Sequence, residues 1–465
     1  MSSLPSLFRW LSIIIWLYAP LSLALDVKSE SSKFISFSDI HFNPFSSCKT
    51  LTLQSCQLVN KLRLAPASEW EAIFEKEDNK ELAEFTHDTN YALLKSSLTQ
   101  INSVYQSEHP RFAIVLGDYL AHHFRAQYIM ATHDRSVTGY QSFVKKTMAF
   151  LSAEFHQALP VIDVYPALGN NDSYTGDYSV MPGGSFLRDT ADSWSGLILN
   201  EENQRNLRGT FPIAGFYAVT LPQSKQKLLV LNTVLFSTAI KGQAVMQAAQ
   251  LQLKWLREQL QSAAQQHESV LLAFHIPDGV NVYLTLLNLF HGVDEFWRPD
   301  ISKQFNEILK QYATTITAIL PGHIHMDSFQ VLTNDSHEVP VSYTPSISPI
   351  FGNNPGFKVY SYNQANLQLT NYDMYFLPVA DAPATRAWRK EYSFNQVYHQ
   401  NCENCNLLAG MKNLTPSGTL ANTFKLYYAV SMQSQPIIRN NYWIPYYWCS
   451  VFDPRLAAYQ TCIKH

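Results

Sequence analysis

Charge is scarce in this chain. Of its 465 residues only 15% are Asp, Glu, Lys or Arg, the net charge is −3, and no block of like charge interrupts the sequence. A basic surface for a nucleic-acid duplex is therefore excluded. So is the charge-rich composition of a disordered chain, because 46% of the residues are hydrophobic. No run reaches the roughly 20 apolar residues of a membrane-spanning helix; Trp443–Trp448 is aromatic but short and broken by Pro445. The C-terminus, Thr461 to His465, carries no lipid-anchor tail or retention signal. Internal repeats and low-complexity segments are absent. Cysteine is sparse: Cys48, Cys56, Cys402, Cys405, Cys449 and Cys462 are the full set.

The N-terminus reads as an export leader. Arg9 supplies a positive flank, Leu11–Tyr18 an apolar stretch, and Ser22-Leu-Ala24 a small-x-small cleavage pattern. The destination expected is a periplasm, a lysosome or the medium. Six cysteines suit an oxidising compartment. They allow about 15 pairings; proximity favours Cys48 with Cys56, leaving the later four to staple the C-terminal region. A structural zinc site or a redox pair at Cys402-x-x-Cys405 is the rival reading there.

At 465 residues the chain is long for one core, so a large domain plus an accessory subdomain is expected. Strand-like and helix-like runs alternate after the leader, the pattern of a layered α/β domain. Helical spacing marks 88–105, 140–155, 243–265 and 301–312. Strands are expected over 34–37, 112–116, 161–168, 227–232, 270–274 and 316–320. Further strands are expected over 329–332, 339–344, 357–362 and 367–376. From about Pro383 onward the texture is helical, with Trp388, Tyr392, Phe394 and Tyr398 placed to pack on the main domain.

Five of these runs end in residues with metal-binding chemistry: Asp39-x-His41, Gly117-Asp118, Gly169-Asn170, His275 and Gly322-His323-x-His325. Each piece has an ordinary explanation when taken alone. Asp118 can be a helix cap, Asn170 a turn residue, and His275 a hydrogen-bonded core histidine. Together, two carboxylates, one amide oxygen and four imidazoles can hold two divalent cations around one shared carboxylate. Two such ions about 3.5–4 Å apart are suited to splitting phosphate esters.

The set resembles the calcineurin-like metallophosphoesterase superfamily, and within it the acid sphingomyelinase-like phosphodiesterases. Phrases of that group run from about Phe34 to Phe376: Pro166-Ala-Leu-Gly-Asn170, Ala214-Gly-Phe-Tyr217, His275-Ile-Pro, Gly322-His-Ile-His-Met-Asp-Ser328, Ser346-Ile-Ser-Pro and Asn354-Pro-Gly356. The resemblance implies a four-layer α/β/β/α sandwich over 30–380, after a signal peptide over 1–24. A helical, disulfide-stapled subdomain would occupy 381–465. It implies one ion on Asp39, His41, Asp118 and His325, and another on Asp118, Asn170, His275 and His323. Both ions would be zinc, with a metal-bridged hydroxide attacking phosphorus. His122 matches the family's general acid; its neighbour His123 is the alternative. Ala121 stands where the purple acid phosphatases carry a tyrosine, which argues against a ferric site.

One position departs from the family. The usual Gly-Asn-His-Asp/Glu is here Gly169-Asn170-Asn171-Asp172, so the second catalytic histidine is Asn171. Asn171 can donate a hydrogen bond to phosphate but cannot shuttle a proton. The expected substrate is a nucleotide or phospholipid-type phosphodiester, handled by a monomer. No saposin-like domain fits between the leader and Asp39, which favours soluble diesters. The aromatic insert at 280–298 leaves a peripheral membrane contact open. The alternatives are a phosphomonoesterase and a catalytically weak metal-binding protein that recognises a ligand. Asn334-Asp-Ser and Asn413-Leu-Thr are glycan-acceptor patterns.

Overall fold

Short strands buried on both faces dictate the architecture. A computed structural model describes residues 31–48, 55–77, 80–288, 292–334, 337–399, 406–412, 414, 420–435, 443–452 and 455–464. The leader, Cys402, Cys405 and parts of both glycan-acceptor patterns lie outside them. Strands β1 (Ser31–Phe37), β2 (Phe112–Val115) and β3 (Asp163–Pro166) run parallel. Strands β4 (Tyr217–Thr220), β5 (Lys227–Val230), β6 (Val270–Phe274), β7 (Ile316–Pro321), β8 (Phe329–Asn334) and β9 (His337–Ser342) build a second sheet. Strands β10 (Gly356–Asn363), β11 (Leu369–Phe376) and β12 (Arg389–Ser393) return to the first. The orders are β12-β11-β10-β1-β2-β3 and β4-β5-β6-β7-β9-β8.

The two sheets meet face to face through polar side chains. Ser36 Oγ lies 2.7 Å from Thr344 Oγ1, Tyr360 donates to Ser342 Oγ at 2.8 Å, and Tyr217 donates to the Pro166 carbonyl at 2.9 Å. Helices cover the outer faces. Phe37 sets its ring against Phe155 of helix Val137–Ala158, and Phe274 against Phe305 of helix Pro299–Gln311. A strand covered on both sides reads as a continuous apolar run rather than an alternating one; β2 (FAIV) and β6 (VLLAF) are wholly buried. The long helix Gln243–Gln265 buries Val245, Ala249, Leu253, Leu256 and Leu260 as its spacing predicts, while Met246 on the same run is exposed.

Two departures from the expected elements matter for the site. The helix predicted from Asp88 begins at Tyr91. Asn90 caps it by accepting from the Leu93 N–H at 2.9 Å, so Asp88 stays outside the helix with its carboxylate free to turn elsewhere. Within 381–465, expected to be helical, β12 pairs antiparallel with β11 as the edge of the first sheet. The aromatic residues of this region do pack on the main body: Trp388 against Phe357, and Phe394 and Tyr398 against Phe329. Cys48–Cys56 and Cys449–Cys462 are disulfides. No described helix is long and apolar enough to cross a membrane.

Candidate metal centre

Ligands in open α/β sheets gather outside the carboxyl ends of parallel strands. Here the loops after β1, β2, β3, β6 and β7 converge there, and the structure brings all seven predicted residues to one buried point. His41 Nε2 lies 3.2 Å from His325 Nε2, 3.4 Å from Asp118 Oδ2 and 3.8 Å from Asp39 Oδ1. On the other side of Asp118, His275 Nε2 lies 3.2 Å from Asp118 Oδ2, 3.1 Å from Asn170 Oδ1 and 3.2 Å from His323 Nδ1. Asp39 Oδ1, 3.3 Å from His325 Nε2, has no hydrogen-bond partner among the described residues.

The backbone is bent to make this possible. Asp39, His41, Asp118, His323 and His325 have φ of 49°, 44°, 55°, 73° and 62°. Left-handed residues other than glycine cost of order 1–3 kcal/mol each and persist where the surroundings over-determine them. Gly169 and Gly322 allow the close approach. A Cβ at Gly169 would collide with Asp118, and one at Gly322 with Ser38 and Asp39.

Outer contacts fix the rings. His41 Nδ1 bonds the Leu120 carbonyl at 3.0 Å, and His275 Nδ1 the Leu116 carbonyl at 2.6 Å. Both keep their protons on Nδ1 and turn the Nε2 lone pairs inward, the usual outer support of a metal-binding histidine. Asp177 accepts from Asn170 Nδ2 at 2.8 Å, which orients the amide oxygen toward His275. Asp172 ties two of the loops together. Its carboxylate accepts the N–H groups of Asp118, Tyr119 and Gly169 at 2.9, 2.8 and 2.8 Å.

Electrostatics show what the cluster needs. Burial drives His41 down to about 4, His323 down to about 3, and His325 well below its ordinary value. These imidazoles are neutral, with lone pairs available. Burial raises Asp39 to about 6, with Asp118 adding to the rise and His275 opposing it. Burial would also lower His275, but Asp118 and Asp39 outweigh it and push that ring up to about 9. Two buried carboxylates thus demand positive charge at this point. Three groups of residues can each gather on one ion: Asp39, His41 and Asp118; Asp118, His275 and His323; His41, His122 and His325. Oxygen and imidazole donors of this kind suit divalent metals.

His122 stacks over His41, centroids 4.1 Å apart. Its Nδ1 bonds Asp88 Oδ1 at 3.0 Å, and its backbone N–H donates to Asp88 Oδ2 at 2.9 Å. Burial disfavours its charge, but Asp88 overcomes this and raises the imidazole above its ordinary value. His123 instead points to solvent at the start of helix Phe124–Thr132.

Residues 336–465 match the family model of the acid sphingomyelin phosphodiesterase C-terminal region. Sphingomyelinase phosphodiesterase D of Dictyostelium discoideum is 26% identical over 81% of this chain and 83% of its own. The human acid sphingomyelinase-like phosphodiesterase 3b is 24% identical over 80% and 77%. The bovine cyclic GMP-AMP phosphodiesterase SMPDL3A is 23% identical over 68% and 70%. Over most of its length the chain is thus similar to proteins named as acid sphingomyelinase-like phosphodiesterases.

Within this centre Asn171 takes a role the sequence did not suggest. Its backbone N–H and Nδ2 donate to Asp118 Oδ1 and Oδ2 at 2.8 and 2.9 Å. Both donors grip the central carboxylate. Sequence reasoning also missed Asp88, Asp172 and Asp177. Asp172 has a local signal, an acid two residues after Asn170 in a turn. Asp88 has none, lying 34 residues from His122.

Proposed function

We propose that this phosphodiesterase is a two-cation, zinc-dependent hydrolase of small phosphodiesters, exported by the leader over 1–24, with a catalytic domain over 30–380. The observation that carries the reading is the inward convergence of imidazole and amide donors around Asp118 and the orphaned Asp39 Oδ1. One ion would be held by Asp39, His41, Asp118 and His325, the other by Asp118, Asn170, His275 and His323. When bound, such ions acidify a water and offset charge on the phosphoryl oxygens.

The chain's own residues do the rest. His122 carries a proton on Nδ1 against Asp88, and its Nε2, when protonated, can hand a second proton to the departing alkoxide. Asp88 keeps that ring charged in mildly acidic surroundings. Ser348 Oγ donates to the same Asp88 oxygen at 3.2 Å, holding the carboxylate in place. Disulfides support an oxidising destination outside the cytosol.

The test is a substrate panel on purified protein with metal analysis of the same sample. The expected result is two equivalents of zinc and a higher kcat/KM on bis-p-nitrophenyl phosphate than on p-nitrophenyl phosphate. A metal-free protein that still turns over the diester would overturn the reading, and a preference for the monoester would replace it with a phosphomonoesterase. Asn171 favours a second reading, a slow enzyme that chiefly binds its ligand, because its grip on Asp118 stands where the family has a proton-carrying histidine. Asn171→His should alter the pH–rate profile; an unchanged profile on every cleaved substrate sinks that second reading.

A further inference from the structure

Phe351 is 47% exposed beside the metal centre. Its ring stands edge-on to His325, centroids 4.5 Å apart at 79°, and to His122, 5.4 Å apart at 85°. An exposed phenylalanine is ordinary in itself. This one is held out by a fixed turn. The Gly352 and Thr86 N–H groups both donate to the Pro349 carbonyl, at 3.0 and 3.1 Å. Gly352 has φ +80°, and the Phe85 ring lies 3.0 Å from where a Cβ would stand.

The same segment is wired into both halves of the chemistry. The Ser348 N–H donates to the Asp39 carbonyl at 3.1 Å, and Ser348 Oγ donates to Asp88 at 3.2 Å. Asp88 is the carboxylate that holds His122. The ring therefore borders the side of the centre from which His122 delivers its proton, and that is the side of the leaving group.

We infer that Phe351 is the wall on which the leaving group packs, so that the preferred leaving alcohol carries an aryl or similarly flat apolar face. This rests on the phosphodiesterase reading above and adds a specificity residue to it. The experiment measures calorimetric Kd values on zinc-loaded full chain for diphenyl phosphate, dimethyl phosphate and inorganic phosphate. Wild type should bind diphenyl phosphate more tightly than dimethyl phosphate. Phe351→Ala should cut that preference by about tenfold, the scale of one aromatic contact, and Phe351→Trp should keep it. Inorganic phosphate affinity should be the same in all three proteins. A preference that persists in Phe351→Ala, or an equal loss across all three ligands, overturns the wall. If wild type holds zinc but binds none of the three, the phosphodiesterase reading falls as well.

Discussion

Two buried polar clusters lie within one short segment, around His325 and around Asp327, and they are built on opposite rules. Around His325, like faces like: imidazole nitrogens approach at 3.2 Å, two carboxylates share the space, and Asp39 Oδ1 and His325 Nδ1 have no hydrogen-bond partner among the described residues. Around Asp327, opposites are matched. Lys358 Nζ pairs with Asp327 Oδ1 at 2.7 Å. Tyr392 donates to Asp327 Oδ2 at 2.5 Å, and Lys358 also reaches Ser342 Oγ at 3.2 Å and the face of Tyr372 at 4.0 Å. A closed network holds the fold together. An open one with buried, unspent donors marks where something else must bind.

The comparison can be broken first at its open end. Asp118→Asn should abolish metal retention and lower kcat on a diester by on the order of 10³-fold or more, beyond the loss of one preorganised donor. Urea unfolding of the metal-free protein should change far less than metal content and turnover do.

His122→Ala should cost about 10²–10⁴-fold in turnover while metal content stays the same. The pH test follows from the His122–Asp88 pair. The raised imidazole is an active acid below its folded value, so activity should fall as pH rises through a point above about 6.5. Asp88→Asn should move that fall to lower pH in a pH–rate profile. The pair's stability runs the same way on the histidine side. It is fully present below about 6.5 and lost as pH rises through the folded value. Burial would raise Asp88, but His122 and His41 together outweigh it and depress the carboxyl, so it contributes above the ordinary carboxylate range and loses this as pH falls.

The closed cluster should respond in stability alone. Lys358→Met strands Asp327 in the interior and should cost about 3–5 kcal/mol in urea unfolding. Adding Asp327→Leu should recover much of it, because an ion pair replaced whole by apolar side chains is often neutral. The smallest effect is expected at the outer support of the open cluster. Asp177→Ala frees the Asn170 amide and should weaken metal binding by about 10–100-fold, read by metal titration.

Much of this was legible in the sequence. Apolar runs buried on both faces place the parallel strands, and each of the five ligand groups follows one of them, because a strand's carboxyl end is where the chain must turn. The disulfide between Cys48 and Cys56 follows from their proximity. Less legible were the edge strand β12, whose Arg389-Lys-Glu run has no buried period to reveal it, and the start of the helix at Tyr91, which Asn90 caps.

The chain by itself determined which donors are available and at which strand ends they stand, since residue type and local period are written in order. Only the tertiary structure decided their partners. Asp88 reaches His122, Asp177 turns Asn170, Asn171 grips Asp118, and Phe351 stands over His325. Each of these joins residues that the sequence leaves unordered relative to one another. Burial and hydrogen-bond geometry are set when the loops close on one point, and no local pattern encodes them.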